Sequence, residues 1–240
     1  MRAIVEYLLW CYLIAWPIYI YLTHQQEKQS VIAKPDKLIA VYRITMLHLW
    51  LPTTMLLFLL FNNEISSHDI GLKWHWGLAN QIGVAGLILL IVYSVVSIKQ
   101  FKDQPEKHKE MRKQLGFIQW FMPTTIKESR YFIIGLSVSA GVCEELLYRG
   151  YLIHIFTDYL PTYGAVIISS IAFGLGHIYQ GAMHVVRAAL LGVVMALIYL
   201  ATDSIIIPII LHTLMDMNGG AMAYIVFRKK DHKMVVENAL

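Results

Sequence analysis

The feature that most constrains this chain is a series of apolar stretches, each about as long as a helix that crosses a membrane. Such a helix needs about 20 mostly apolar residues to cross the hydrocarbon core of a bilayer. Apolar residues make up 57% of the sequence and charged residues 15%, whereas charged residues average about 25% in a soluble domain. The chain is therefore predicted to be an integral membrane protein, and intrinsic disorder, a coiled coil or a collagen-like fibre is excluded.

About seven stretches meet this length requirement, so the predicted fold is an all-α, polytopic transmembrane bundle of about seven spans, within a range of roughly six to eight. The predicted spans are Ala3–Leu22, Leu38–Phe61, Leu78–Ile98, Tyr131–Phe156, Tyr163–Tyr179, Val185–Ala201 and Ile205–Phe227. The polar segment Ile65–Trp76 is predicted to be an interfacial turn with aromatic anchors. The segment Lys99–Gly116 is predicted to be a charged linker.

The distribution of Lys and Arg predicts the orientation. If the N-terminus is outside, most Lys and Arg residues fall in loops on the inside. This agrees with the excess of Lys and Arg that cytoplasmic loops carry. Without a recognisable targeting signal, the expected location is the cytoplasmic membrane of a bacterium. The net charge of +4 comes from short basic runs beside apolar segments, where they would meet anionic lipid. The lipid bilayer is therefore the expected surrounding, and nucleic acid is not an expected partner.

The predicted fourth span contains charged residues that are costly at that depth. Asp, Lys or Arg at mid-bilayer costs about 2.5–3.5 kcal/mol on an insertion scale, and Glu is expected to be similar. Glu145 and Arg149 share one helix face with the acid first, which favours an ion pair. Glu144 is rotated by about 100° from Glu145 and has no evident partner, so it is the candidate general base. The alternative is a buried ion network of all three side chains that fixes helix packing.

Two later spans contribute histidines. His177 lies at the end of the fifth span, one turn after Phe173, whose ring is expected to wall the imidazole. In the last span, His212 and Asp216 share a face, and such a pair can bind a metal ion, orient an imidazole or donate to an oxyanion. The alternatives are an interfacial histidine at His177 and, at His212 and Asp216, a hydrogen-bonded pair that holds helices together.

Three motifs therefore occur in order in separate apolar spans: Glu-Glu-x-x-x-Arg at Glu144–Arg149, Phe-x-x-x-His at Phe173–His177 and His-x-x-x-Asp at His212–Asp216. Together they resemble the CPBP family, the type II CAAX prenyl protease and bacteriocin-processing group that is also called the Abi family. The resemblance extends from about Arg130 to Gly220. The third motif usually ends in Asn in that family, whereas this chain has Asp216, and an ionised Asp accepts hydrogen bonds without donating them.

The resemblance implies an intramembrane endopeptidase and a role for each motif. Glu144, together with His177, activates the water that attacks the scissile carbonyl. The third motif stabilises the oxyanion through His212 and Asp216, and a protonated Asp216 or one paired to His212 would restore a donor. The supporting residues are Glu145, Arg149 and Phe173.

The same resemblance bears on metal binding and on the division of the chain. The family has long been described as metalloproteases, and zinc held by Glu144, His177 and His212 is chemically reasonable. The carboxamide usual at the third motif is a poor zinc ligand, so we expect no metal and no other cofactor. The predicted units are N-terminal transmembrane helices with a basic linker at 1–127, a CPBP-type catalytic core at 128–228 and a basic cytoplasmic tail at 229–240.

The predicted substrate is a membrane-associated peptide or protein, and the sequence does not specify whether it is prenylated. Two alternatives use the same polar core: a non-enzymatic bacteriocin-immunity or scaffold protein, and a proton-coupled transporter. The seven-span topology also poses a geometric problem. Glu144 lies about 24 Å along its helix from Glu128, whereas His177 lies near the end of its own span. Bringing them together requires helix tilt, a break near Gly150 or a different number of spans.

Overall fold

The computed structural model describes residues 2–228, and every regular element in that range is a helix. The longer helices are α1 Arg2–Ala33, α2 Leu38–Phe61, α3 Leu78–Lys102, α4 Pro105–Gln114, α5 Ile126–Thr157, α6 Thr162–Leu175, α7 Ala182–Thr202 and α8 Ile206–Phe227. Short 3-10 turns occur at Pro35–Lys37, Gly116–Phe121 and Ile178–Gln180.

The predicted all-α, multi-pass fold is confirmed. Within the described residues, 6 helices are long and apolar enough to span a membrane, and α6 is a shorter apolar helix of 14 residues. Every predicted span corresponds to one of these helices. The division at residues 127 and 128 and the orientation of the bundle stay predictions, and the tail 229–240 lies outside the described residues.

Helix α5 carries the first motif and begins with a well-defined cap. The Thr125 side chain accepts a hydrogen bond from the Glu128 backbone N–H, and the Glu128 carboxylate accepts from the backbone N–H groups of Thr124 and Thr125. This reciprocal arrangement is a capping box, which satisfies donors that the first turn of a helix leaves open. The cap fixes where α5 starts and therefore the height at which Glu144 lies.

Two stretches of α5 have π-helical hydrogen bonding, Tyr131–Leu136 and Glu145–Leu152. Such wide turns are rare and occur frequently at functional sites. The second stretch contains Glu145 and Arg149. Helix α5 therefore continues to Thr157 without the break near Gly150 that was one of the predicted alternatives.

The short length of α6 explains how His177 can lie at the height of Glu144. With 14 residues, α6 is about 21 Å long at a rise of about 1.5 Å per residue. It ends at Leu175, although the apolar run continues to Tyr179, because the backbone turns after Gly176. Residues 158–161 form the turn that joins α5 to α6. Measured from this turn back along α5, Glu144 lies roughly 20 Å away. His177 and Glu144 therefore lie at similar heights within the bundle.

We call the end of the bundle that contains residues 158–161 the turn end, and the end that contains Lys99–Gly116 the linker end. The segment Ile65–Trp76 closes the turn end. Ile70 is fully buried, the backbone N–H of Ile205 donates to the Gly71 carbonyl at 2.9 Å, and the Ser204 hydroxyl donates to the Lys73 carbonyl at 2.7 Å. The segment predicted to be an interfacial turn is thus packed against the helices.

Glycines allow close helix contact where the motifs meet. A Cβ atom added to Gly141 of α5 would lie 2.1 Å from the Thr213 hydroxyl oxygen and 2.9 Å from the Thr213 backbone nitrogen. Because Gly141 precedes Glu144 by one turn and Thr213 follows His212, this contact sets the separation of those two side chains. Small residues at helix contacts serve this purpose in membrane proteins.

We expect Gly141→Ala to destabilise the protein by about 1–3 kcal/mol, as for other overpacked sites, and to lower its activity. The methyl group must push α5 away from the α8 backbone. The matched control is Gly86→Ala in α3, where an added Cβ meets nothing within 4 Å. Thermal unfolding in detergent measures the effect. Equal stability of the two variants would contradict the close contact.

Candidate active site

A cavity of about 520 Å³ brings all four predicted catalytic residues together. Glu144 lies on its wall from α5, His177 from the turn after α6, and His212 and Asp216 from α8. Other parts of the wall come from α1, α2 and the segment between Met111 and Met122. Three motifs that are separated by tens of residues in the sequence therefore face one space.

Glu145 is the central acceptor behind the cavity wall. It is completely buried, and its Oε1 atom accepts hydrogen bonds from Arg149 Nη1 at 2.9 Å and from His212 Nδ1 at 2.8 Å. The ion pair that the spacing of Glu145 and Arg149 predicts is present. The contact between Glu145 and His212 was not predicted. It links the first motif to the third.

Phe173 packs against several of the charged and imidazole groups. The Arg149 guanidinium lies 4.2 Å from the centre of the Phe173 ring, and a cation over an aromatic face is attracted by the ring quadrupole. The His177 and His212 rings lie 4.9 Å and 6.0 Å from the same ring, centre to centre. Phe173 therefore walls the His177 imidazole as predicted, and it also covers the buried guanidinium.

The hydrogen bond of His177 determines which ring nitrogen faces the cavity as an acceptor. His177 Nδ1 lies 3.0 Å from the carbonyl oxygen of Phe173. Because a carbonyl oxygen only accepts, Nδ1 must carry the proton. In the neutral ring, Nε2 then has a free lone pair. This tautomer suits an imidazole that accepts a hydrogen bond from a water molecule.

Glu144 and Asp216 flank the other imidazole. His212 Nε2 lies 3.7 Å from Glu144 Oε2 and 3.7 Å from Asp216 Oδ2, so both carboxylates lie just beyond hydrogen-bond distance. The side chains of Glu144 and Asp216 are 17% and 40% exposed. Among residues 2–228, the Glu144 carboxylate makes no closer ion pair and no hydrogen bond. Of the two adjacent glutamates, Glu145 is thus the one that is hydrogen-bonded and ion-paired to Arg149, and Glu144 is the more exposed one.

Several cavity-lining residues lie outside the three motifs. They include Trp16, Ile20, Thr45, Leu49, Phe117 and Arg187. Most are apolar or aromatic, and composition does not distinguish them from residues that face lipid. Arg187 differs, because a charged residue inside a predicted span is a sequence signal in its own right.

The donor set gives no support to a metal centre. Within the described part of the chain, no group of three or more His, Cys, Asp or Glu side chains is arranged to hold a metal ion. His212 Nδ1 is engaged by Glu145, which leaves only Nε2 as a ligand atom. The expectation of a metal-free site stays a prediction.

One known protein family matches the part of the chain that contains the three motifs. Residues 127–218 match the family model of the type II CAAX prenyl endopeptidase Rce1-like proteins. The match supports membership of the CPBP family. All three motifs lie within the matched residues, whereas α1, α2 and α3 lie outside them. The match supports a protease in a multi-pass membrane protein. No curated protein and no solved structure matches the chain at a significant level.

Proposed function

We propose that the protein is an intramembrane endopeptidase that hydrolyses a peptide bond of a membrane-associated peptide or protein by glutamate and histidine activation of water. The observation that carries the proposal is the convergence of Glu144, His177, His212 and Asp216 on one cavity. The cavity volume of about 520 Å³ is within the range of sites that bind small ligands or short segments of larger ones.

In the first step, Glu144 is the general base. A water molecule donates one hydrogen bond to the Glu144 carboxylate and the other to His177 Nε2. Its oxygen attacks the scissile carbonyl carbon while Glu144 takes the proton. The carbonyl π-bond opens and its electron pair moves to the oxygen, which becomes the oxyanion. Glu144 then gives its proton to the leaving amide nitrogen as the C–N bond breaks, so the base returns to its starting state.

The oxyanion is stabilised on the α8 side of the cavity. In its imidazolium form, His212 donates from Nδ1 to Glu145 and from Nε2 towards the cavity. Asp216 supplies a second donor when its carboxyl group is protonated. Donors that are held in place before the reaction stabilise a developing charge strongly. Glu145 is a positioning residue, since it holds the His212 ring through Nδ1 and is itself held by Arg149.

We place the enzyme in the bacterial cytoplasmic membrane and assign it no metal cofactor. The basic linker between α3 and α5 favours an orientation in which the linker end faces the cytoplasm, because cytoplasmic loops carry an excess of Lys and Arg. The metal-free assignment rests on the donor geometry around His212. The family match to CAAX prenyl endopeptidases makes a prenylated peptide the first substrate to try.

The experiment that tests the function is co-expression with candidate membrane peptides, with products identified by mass spectrometry. The set includes a prenylated peptide, a bacteriocin leader peptide and a membrane-protein tail. We expect at least one product that forms with the wild type and does not form with Glu144→Gln. A polar core that binds a peptide without any cleavage would favour the scaffold alternative.

We expect Asp216→Asn to retain activity and to extend it to higher pH. Asn donates a hydrogen bond at any pH, whereas a carboxyl group donates only while protonated. Asp216→Ala is expected to lose about 100- to 1000-fold in kcat, as when another oxyanion donor is removed. The measurement is the pH profile of peptide cleavage by the three proteins.

Treatment of the enzyme with a chelator tests the assignment of a metal-free site. Purified wild-type enzyme should retain its rate in a strong chelator, and elemental analysis should find far less than one metal ion per chain. Stoichiometric zinc that leaves together with activity, combined with an inactive Asp216→Asn variant, would make Asp216 a metal ligand and reverse the assignment.

A further inference from the structure

A group of polar and basic side chains lies on the outer face of the bundle, away from the catalytic cavity. Arg43 of α2 and Lys127 of α5 are exposed near the linker end, and neither lines the cavity. Lys127 precedes Tyr131 by four residues, so these two side chains share one face of α5. We call Arg43, Lys127 and Tyr131 the α2–α5 basic site. The proposed mechanism gives none of the three a role.

Arg43 connects the two helices. Its Nη2 atom donates a hydrogen bond to the Tyr131 hydroxyl at 2.5 Å, and its guanidinium lies 5.1 Å from the centre of the Tyr131 ring. One turn further along both helices, a Cβ added to Gly135 would lie 3.0 Å from Met46 Sδ. The tight packing of α2 on α5 at this level holds Arg43 beside the first turns of α5.

The protein does not neutralise the charges of Arg43 and Lys127. No ion pair within residues 2–228 includes either side chain. Arg43 gives one N–H group to Tyr131, and a guanidinium has five, so most of its donors are free. Glu128, the acid beside Lys127, is buried and accepts hydrogen bonds from residues 124–125. Two positive charges therefore face outwards without an acid to balance them.

The α2–α5 basic site lies at the height where a bilayer carries its phosphate groups. Helix α2 has 24 residues and is about 36 Å long at about 1.5 Å per residue, which exceeds the hydrocarbon core of about 30 Å. Arg43 lies about 8 Å along α2 from its start at Leu38. From this depth a long Arg side chain can place its guanidinium at the interface, where Tyr rings are also favoured.

Exposed apolar side chains continue from the site towards the middle of the bilayer. Leu47 follows Arg43 by four residues and is 66% exposed, and Ile134 follows Tyr131 by three residues and is 64% exposed. Spacings of three and four residues place side chains on one helix face. The surface between α2 and α5 therefore changes from charged at the interface to apolar at greater depth.

A phosphodiester with acyl chains matches both parts of this surface. The planar fork of a guanidinium binds two phosphate oxygens at once, and an ammonium group adds a point charge. Basic pockets between membrane helices bind the headgroups of anionic lipids. Phosphatidylglycerol has a net negative charge, whereas phosphatidylcholine adds a choline cation that Arg43 and Lys127 would repel. An anionic phospholipid therefore fits the site better than a zwitterionic one.

We propose that Arg43, Lys127 and Tyr131 bind the phosphate of an anionic phospholipid, with the acyl chains of that lipid against Leu47 and Ile134. The bound lipid contacts both α2 and α5 and holds them together from outside the cavity. This inference does not depend on the proposed function, because none of the five residues lines the cavity.

Native mass spectrometry of the full-length protein in detergent tests the site. The protein is titrated with dioleoylphosphatidylglycerol, with dioleoylphosphatidylcholine and with glycerol 3-phosphate, which has no acyl chains. The variants are Arg43→Gln and Lys127→Gln, and Lys99→Gln is the matched control. Lys99 is exposed in the last turn of α3, a helix that packs mainly against α8. The control variant therefore loses the same charge at the linker end but away from the site.

We expect the wild type to bind the first phosphatidylglycerol at least about 10-fold more tightly than phosphatidylcholine. Each base near an anionic lipid contributes about fivefold in affinity. Arg43→Gln and Lys127→Gln should therefore each weaken phosphatidylglycerol binding by about fivefold and leave phosphatidylcholine binding nearly unchanged. Lys99→Gln should retain the wild-type affinity for both lipids.

Three results would overturn the proposal. An equal loss for Lys99→Gln and Arg43→Gln would indicate diffuse attraction instead of a discrete site. Equal wild-type affinity for the two lipids would exclude recognition of the anion. Glycerol 3-phosphate that binds as tightly as phosphatidylglycerol would assign the site to a soluble phosphate.

Thermal unfolding without added lipid controls for folding. Where Arg43→Gln lowers the unfolding temperature, Lys127→Gln decides the question, because the Lys127 side chain is exposed and its replacement should not disturb packing. A fivefold loss of phosphatidylglycerol affinity in a stably folded Lys127→Gln variant supports the site. An unchanged affinity in that variant would overturn it.

Discussion

Glu144→Gln is expected to reduce peptide cleavage by about 100- to 10,000-fold, the usual contribution of a general base, and to leave the amount of folded protein in the membrane near the wild-type level. Gln has nearly the same shape as Glu but cannot take a proton from water. Because the Glu144 carboxylate makes no hydrogen bond among residues 2–228, its replacement leaves no other group without a partner. Single-turnover cleavage and quantitative blotting of membranes measure the two effects.

A second glutamate provides the control for this experiment. Glu6 forms a surface ion pair with Arg2 one turn away, and such pairs contribute only about 0–1 kcal/mol. Glu6→Gln should therefore change neither activity nor abundance. If Glu144→Gln retained most of the wild-type rate, the base would have to be another group of the cavity, and Asp216 would be the next carboxylate to test.

The local features of this site can be read from the sequence because they depend on helical spacing. The apolar runs predict the helices, and the four-residue interval between Glu145 and Arg149 predicts their ion pair. The contact of Phe173 with the His177 ring follows from the same interval. Each of these predictions concerns residues on one helix or at its end, where backbone geometry fixes the neighbours.

The long-range features require the folded chain. The hydrogen bond between His212 and Glu145 joins residues 67 positions apart, and no local pattern indicates it. The height of His177 could not be predicted either, because the apolar run continues to Tyr179 while the helix ends at Leu175. Hydropathy reports which residues avoid water but not where the backbone turns. The parts of the cavity wall that α1 and α2 contribute also depend on tertiary packing.

Removal of Arg149 is expected to cost about 3–5 kcal/mol of stability, as when one partner of a buried ion pair is lost. The Glu145 and Arg149 side chains are at most 1% exposed. Arg149→Met therefore leaves the Glu145 carboxylate buried without its cation. It also removes the cation that lies over the Phe173 ring. Thermal unfolding in detergent and the yield of monodisperse protein measure the loss.

A double variant separates the contribution of this ion pair to folding from its contribution to catalysis. Glu145→Leu combined with Arg149→Met removes both charges together, and apolar replacement of a buried pair is often neutral or stabilising. We therefore expect the double variant to recover much of the stability that Arg149→Met loses. A double variant as unstable as the sum of the single variants would contradict the pairing.

Activity should not return with stability in the double variant. Glu145 also accepts the hydrogen bond from His212 Nδ1 at 2.8 Å, and Leu cannot replace that acceptor. Without it, the His212 ring loses the contact that orients Nε2 towards the cavity, and a misplaced catalytic group is costly. We expect kcat in the folded double variant to fall by about 100-fold or more, as for a lost oxyanion donor. Full activity in a folded double variant would show that His212 does not depend on Glu145 for its position.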